Sequence, residues 1–233
     1  AICDDHLSHT KNSIIALYLS GMLGLKKKTL DNSSIINLVT IFQDNHKTPI
    51  VVYLCESILA EDETNKFALR TLAECYKEDN NDKIWEVYEA IVKLDYEEAD
   101  IAKILAEHFE SEGKSEESID YYKKALLRYV AKKSANQIKE IWSILVKLIP
   151  EEIDFFLLVQ RKIAKTISED KSALLMQELY IYYKDAEKWD IAIDILKLLL
   201  NIDEKDSWAR KESVDCFRGK YATHSQLEDY IRV

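Results

Sequence analysis

The sequence predicts an all-α protein built from antiparallel helix pairs that repeat every 33 or 34 residues. The main evidence is an apolar motif, found at Leu69-x-x-Leu72-Ala73-x-x-Tyr76, Ala102-x-x-Leu105-Ala106-x-x-Phe109 and Met176-x-x-Leu179-Tyr180-x-x-Tyr183. A period of this length is typical of helical solenoids, which present a binding surface. The 233 residues include only 4 Gly and 2 Pro, and no sustained apolar/polar alternation indicates a sheet.

Residues 1–63 carry apolar residues at helical spacing but no clear repeat positions. The stripes are Ile14, Leu17 and Tyr18, then Ile36, Leu38, Val39 and Phe42, then Val51, Leu54 and Ile58. Terminal repeats are often atypical because they cap the stack. We therefore expect degenerate capping pairs over residues 1–63 and one continuous repeat array over residues 64–233. The chain starts at Ala1 and ends in a helix-like stretch, so we interpret it as a fragment of a longer protein.

The first copy of the array starts near Lys66 and has no glycine in its turn. The turn is Asp79-Asn80-Asn81-Asp82 instead. Asn and Asp tolerate left-handed backbone geometry and can cap the following helix. We therefore expect the usual helix hairpin here.

The clearest pair spans residues 99–132. Gly113 follows its first helix, at a turn that requires a left-handed residue. We expect the small residues Ala106, Ser118 and Ala125 to let the two helices approach closely, while larger residues fill the seam between pairs.

Beyond residue 132 the array is predicted to continue with one pair longer than the others. The elements are a helix over residues 134–148 with the capping box Ser134-x-x-Gln137, a helix over residues 151–167 opened by Pro150, a regular copy over residues 173–206, and a first helix from Trp208.

The net charge of −10 bears on the choice of partner. Lys and Arg total 32, against 42 Asp and Glu. Nucleic-acid binding depends on neutralising phosphates, so direct contact with nucleic acid is disfavoured. The basic runs at residues 26–28 and 123–133 are interpreted as solvated helix ends.

The cysteines indicate a reducing compartment. Cys55, Cys75 and Cys216 lie among core-type residues with no paired spacing, so we expect buried, reduced thiols. The sequence has no secretory signal and no run of about 18 apolar residues. These features predict a cytoplasmic location and no membrane contact.

The residues do not form a convincing catalytic, metal or cofactor site. Cys3-x-x-His6-x-x-His9 has a possible ligand spacing, but it lies at a chain end that lacks a supporting shell. Adjacent carboxylates on a helix point about 100° apart and do not converge. Glycine-rich phosphate loops are also absent from the sequence. We therefore predict a non-enzymatic protein without cofactors.

The positions of small and large residues in these pairs resemble the tetratricopeptide repeat. That resemblance implies a right-handed superhelix whose groove is lined by positions two, five and nine of the first helices. Phe67 and Trp208 fall at position two, and we interpret them as aromatic anchors, with packing onto a neighbouring pair as the alternative. Positions five and nine are Arg70 and Glu74, Lys103 and Glu107, Gln177 and Ile181, and Lys211 and Asp215.

Three of these four pairs place a base four residues before an acid. Such pairs largely neutralise one another along a helix. A peptide carboxylate entering the groove would meet Glu74, Glu107 and Asp215. The sequence therefore disfavours a clamp for a peptide C-terminus and favours a protein partner of mixed charge.

Three segments, at residues 94–126, 140–156 and 208–232, resemble part of an unusually long form of the bacterial GreA/GreB transcript-cleavage elongation factors. In that form a helical-repeat region precedes the standard factor. The resemblance covers the last 140 residues well and the first 60 poorly. It implies a transcription-linked accessory domain whose partner is RNA polymerase or another transcription protein. No residues here match the family's acidic-tipped coiled coil, so no catalytic role is carried over.

The sequence thus predicts a non-catalytic, protein-binding helical repeat from the N-terminal region of such a factor. Two alternatives remain open: a free-standing cytoplasmic tetratricopeptide adaptor, and an RNA-binding helical repeat. The second would require basic residues at the groove positions, where bases and acids alternate instead. The oligomeric state is not predicted.

Overall fold

The protein is entirely helical over the residues that its computed structural model describes, which are 32–94, 98–223, Tyr18, Leu19, Gly21, Leu23 and Gly24. Eleven helices are defined there: α1 (Asn32–Asp44), α2 (Thr48–Glu61), α3 (Lys66–Glu78), α4 (Ile84–Leu94), α5 (Ala99–Ser111), α6 (Ser115–Lys132), α7 (Ala135–Leu148), α8 (Ile153–Thr166), α9 (Glu169–Asp185), α10 (Trp189–Ile202) and α11 (Ser207–Thr223). The predicted all-α class of tetratricopeptide-like helix pairs is confirmed.

The chain divides into two compact units, residues 1–101 and 102–233, whereas the sequence analysis placed a boundary after residue 63. In the first unit α1 packs on α2, α2 on α3 and α3 on α4. In the second unit consecutive helices pack in the same way. There α6 also contacts α8, and α7 contacts α9. First helices therefore stack on first helices, and second helices on second helices.

Helices α1 and α2 form a repeat pair that the sequence analysis did not assign. The buried residues Ile35, Leu38, Val39 and Phe42 precede the buried residues Leu69, Leu72, Ala73 and Tyr76 by 34 positions. The motif is less visible because Val39 occupies a position that holds alanine in the next two copies. The predicted stripe at Ile14 and Leu17 lies outside the described residues.

The turns of three pairs share one backbone geometry. His46, Asn80 and Gly113 lie 34 and 33 positions apart, with positive φ angles of 54°, 49° and 74°. In each turn the next amide donates to the carbonyl five residues earlier, from Lys47 to Phe42, Asn81 to Tyr76 and Lys114 to Phe109, all at 2.9 Å. This is the Schellman pattern that satisfies free carbonyls at a helix end. The predicted left-handed turns at residues 79–82 and at Gly113 are confirmed.

Two predicted helix starts are wrong in detail. Ser134 precedes α7, but its side chain makes no capping hydrogen bond. Pro150 lies in a turn before α8, which begins only at Ile153. The Glu152 amide donates to the Ile149 carbonyl at 3.0 Å, which closes this turn around the proline.

Helix α9 begins four residues earlier than the predicted copy. The Ser168 hydroxyl accepts a hydrogen bond from the Lys171 amide at 3.1 Å and caps the helix. Ala173 therefore follows the start of α7, at Ala135, by 38 positions. The extra turn at the start of α9 makes this pair longer than its neighbours, as predicted.

The predicted close contact between the two helices of a pair is confirmed in α5 and α6. Ala106, Ser118 and Ala125 are all buried. The Ser118 hydroxyl donates to the Ala106 carbonyl at 2.9 Å. Cys55, Cys75 and Cys216 are buried free thiols, also as predicted.

Candidate protein-binding site

A glutamate at the sixth position links first helices in the second unit. Counted from Ala135, Ala173 and Ser207, these residues are Glu140, Glu178 and Glu212. They accept hydrogen bonds from the preceding first helix, namely from Lys103 at 2.6 Å, Ser143 at 2.5 Å and Lys184 at 2.6 Å. These contacts fix the lateral spacing of the first helices.

A pocket of about 560 Å³ is lined by α7, the end of α8 and α9. We call it the α7–α9 pocket. Its apolar side chains are Ile138, Ile163, Ile167, Leu174, Leu175 and Ile181, and its polar ones are Asn136, Lys139, Lys171, Gln177 and Glu178. Leu174 is 63% exposed and Ile181 is 49% exposed. Large apolar residues left in contact with solvent in a concave surface are typical of a binding site.

The charges of the α7–α9 pocket are unevenly engaged. Glu178 is held by the Ser143 hydroxyl, as described above. Lys139 and Lys171 are exposed, and neither ammonium lies within 4.0 Å of a carboxylate in the described part of the chain. The pocket therefore has an apolar lining with two available cations.

Two predicted groove residues, Gln177 and Ile181, line this pocket together. Leu174 lies at the second position of the same copy, equivalent to Phe67 and Trp208, but was not selected from the sequence. Position counting alone could have identified it. Lys139 and Lys171 gave no comparable signal, because they belong to the longer pair.

The predicted residues of α3 belong to the first unit. Phe67 is half-buried, while Arg70 and Glu74 are exposed. Arg70 pairs with Glu98 at 2.5 Å. Glu74 lines a smaller polar cavity of about 220 Å³ that also contains His46. Their role as a binding site remains a prediction.

Lys103 and Glu107 form the base–acid pair expected from their spacing, at 3.6 Å. Lys103 lies closer to Glu140, and this hydrogen bond raises the pKa of the lysine. The cation at this position is therefore committed mainly to the neighbouring helix.

The predicted residues of α11 lie near a buried polar cluster. Trp208 is half-buried and packs edge-to-face on Tyr180, with ring centroids 5.4 Å apart. Lys211 is exposed, and Asp215 lies 3.7 Å from Arg218. Trp208 thus makes the packing contact that the sequence analysis kept as the alternative to an anchor role.

The cluster beside Trp208 is organised by Glu212. Its carboxylate accepts from Lys184 at 2.6 Å and from the Tyr180 hydroxyl at 2.9 Å. These hydrogen bonds, with that from Lys184 the stronger, lower the pKa of Glu212. Burial, followed by the hydrogen bond to Glu212, raises the pKa of Tyr180.

Within the described residues, no group of three or more His, Cys, Asp or Glu side chains is arranged to hold a metal. The Cys3, His6 and His9 spacing lies outside those residues. In the same part of the chain, every helix is too short or too polar to cross a bilayer.

Comparison with known proteins finds relatives that match nearly the whole chain. A protein of Treponema pallidum named as a GreA-associated domains protein is 50% identical over 232 residues, 100% of this chain and 35% of that protein. Transcription elongation factor GreA of Borreliella burgdorferi is 34% identical over 231 residues, 99% of this chain and 25% of that protein. The predicted resemblance to a GreA-type factor is confirmed. It includes the first 60 residues, so the expectation of a poor match there is wrong.

The chain therefore spans about a third of one relative and a quarter of the other. No family model matches it. Among solved structures, YrrB, described as a TPR protein with an unusual peptide-binding site, aligns with a TM-score of 0.39 and 11% identity, over 82% of this chain and 96% of that one. A tetratricopeptide repeat protein from Parabacteroides merdae aligns with a TM-score of 0.37 and 12% identity, over 92% and 96% of the two chains.

Proposed function

We propose that this chain is the non-catalytic, protein-binding helical-repeat region of a GreA-type transcription elongation factor. It docks on RNA polymerase or on another transcription protein in the cytoplasm, without a cofactor. The transcription context is supported by the 50% identity to a GreA-associated domains protein.

The observation that carries the binding role is the α7–α9 pocket. It exposes Leu174 and Ile181 on the same face of one helix. Leaving two large aliphatic side chains in water forgoes stabilisation by burial, and a partner would recover it. The net charge of −10 opposes the alternative of RNA binding.

The proposal is tested by interferometry with the purified chain and core RNA polymerase at low and physiological salt. Saturable binding at physiological salt supports docking on the polymerase. A double variant, L174Q with I181Q, should lose this binding, whereas L158Q, with Leu158 47% exposed outside the pocket, should retain it. Absence of binding by a folded wild-type sample would overturn docking on the polymerase.

A further inference from the structure

The two exposed apolar side chains of the α7–α9 pocket define the length of a matching ligand. Leu174 and Ile181 are seven residues apart on α9. At 1.5 Å per residue their separation along the helix is about 10 Å. An extended peptide covers that distance in about three residues. Two large side chains of a short segment can therefore contact both residues at once.

The pocket volume agrees with this length. About 560 Å³ falls within the range of roughly 300–1,000 Å³ observed for pockets that enclose a ligand. The remaining lining side chains, such as Ile163 and Ile167, are also apolar. Such a lining favours aliphatic or aromatic side chains over polar ones.

The rim selects the charge of the ligand. Lys139 lies on α7 and Lys171 lies in the first turn of α9, so the pocket has a cation on each of two neighbouring helices. Glu178 is the acidic residue in the lining, and Ser143 already donates to it. A ligand with carboxylates beside its apolar side chains would complement both lysines.

We infer that the α7–α9 pocket binds an acidic–apolar protein segment, in which two large apolar side chains are flanked by carboxylates. This rests on the protein-binding role proposed above and names the chemistry of the partner. The groove pair at this copy, Gln177 and Ile181, lacks the base–acid arrangement of the other three. Its specificity for an acidic segment therefore differs from the mixed-charge preference expected of those copies.

Fluorescence anisotropy with labelled eight-residue peptides tests the inference on the full chain. The probe has two central leucines flanked by aspartates. One comparison peptide replaces the aspartates with lysines, and another replaces the leucines with serines. The acidic leucine peptide should bind at least about tenfold more tightly than either comparison peptide, a ratio that corresponds to about 1.4 kcal/mol.

Matched variants locate the contact. L174Q should weaken binding of the acidic peptide by about tenfold, whereas L158Q should leave it unchanged. The double variant K139E with K171E should prefer the lysine peptide. K147E is its control, because Lys147 lies exposed on the same helix outside the pocket lining.

The possible outcomes separate this inference from the proposed function. Equal binding of all three peptides, or preference for a fatty acid or an RNA oligonucleotide over the acidic peptide, would overturn it. If the double variant K139E with K171E still binds polymerase like wild type, docking stands but the acidic segment does not. If the peptide binds as expected and polymerase does not, the pocket chemistry stands and the partner is another protein.

Discussion

The Lys184 ammonium lies 2.6 Å from the Glu212 carboxylate and joins α9 to α11. Both side chains are partly shielded, with exposures of 31% for the lysine and 18% for the glutamate. The Tyr180 hydroxyl donates to the same carboxylate. Three groups on two helices thus depend on one charge.

This arrangement makes the contribution of Glu212 depend on pH. Its folded-state pKa lies below the ordinary value of 4.5. Its stabilisation is therefore present above about pH 4.5 and is lost as pH falls through the lower, folded-state pKa. E212Q should reduce the free energy of unfolding by about 1 kcal/mol at pH 7, and the deficit should shrink towards pH 3. Urea unfolding at pH 7, 5 and 3 measures this effect. A deficit independent of pH would contradict the assignment, and E63Q, on an exposed turn, should show none.

Removing a buried hydroxyl should have opposite effects at two tyrosines. The Tyr183 hydroxyl has no hydrogen-bond partner among the described residues, and burial raises its pKa to about 12. The Tyr122 hydroxyl donates to Glu110 at 2.7 Å. Y183F should therefore be neutral or stabilising, whereas Y122F should lose about 1 kcal/mol. Thermal unfolding of the two variants compares them directly, and equal losses would refute the difference.

Left-handed turn positions offer a second stability test. Glu187 has a φ of 55°, which is costly for a residue with a Cβ atom. E187G should raise the free energy of unfolding by roughly 0.5–1 kcal/mol. G113A should lower it by about 1 kcal/mol, although no atom lies within 4 Å of the added Cβ. Chemical denaturation measures both. A destabilised E187G variant would show that the Glu187 side chain is needed for another reason.

The contact between α5 and α6 predicts the cost of overfilling. Ala106 has no exposed surface, and its carbonyl accepts from Ser118. A106L should lower stability by about 1–3 kcal/mol because the two helices must separate. A131L, on the exposed end of α6, is the control. An unchanged melting temperature for A106L would contradict close packing at this position.

Trp208 should contribute to folding as well as to any binding surface. Its edge-to-face contact with Tyr180 gives rings of this kind about 0.5–1.5 kcal/mol beyond area burial. W208A should therefore lower the melting temperature, and W208F should recover part of the loss. If W208A leaves stability intact but weakens polymerase binding, the anchor role applies.

The sequence was sufficient for helix pairing but not for every copy. Ala73 and Ala106 made two copies visible, because alanine at that position permits close helix approach. Val39 hid the copy before them, and His46 gave no glycine or asparagine signal for a left-handed turn. Helix starts at Ser134 and Pro150 were misjudged, since capping depends on side-chain geometry that a motif does not fix.

The candidate site was only partly predictable for a related reason. Gln177 and Ile181 follow from the regular spacing of a copy. Lys139 and Lys171 do not, because the long pair interrupts the count between neighbouring copies. The glutamate contacts also join residues 28 to 37 positions apart, and pairwise geometry at such separations appears only in the folded chain.

The extra turn at the start of α9 has a consequence for alignment with a partner. An array of identical pairs would offer an elongated ligand many equivalent places, and the ligand could slide by one period without losing contacts. The 38-residue interval between Ala135 and Ala173 breaks that equivalence at the α7–α9 pocket. A bound segment would therefore be fixed in a single register, and the position of everything attached to this chain would be fixed with it.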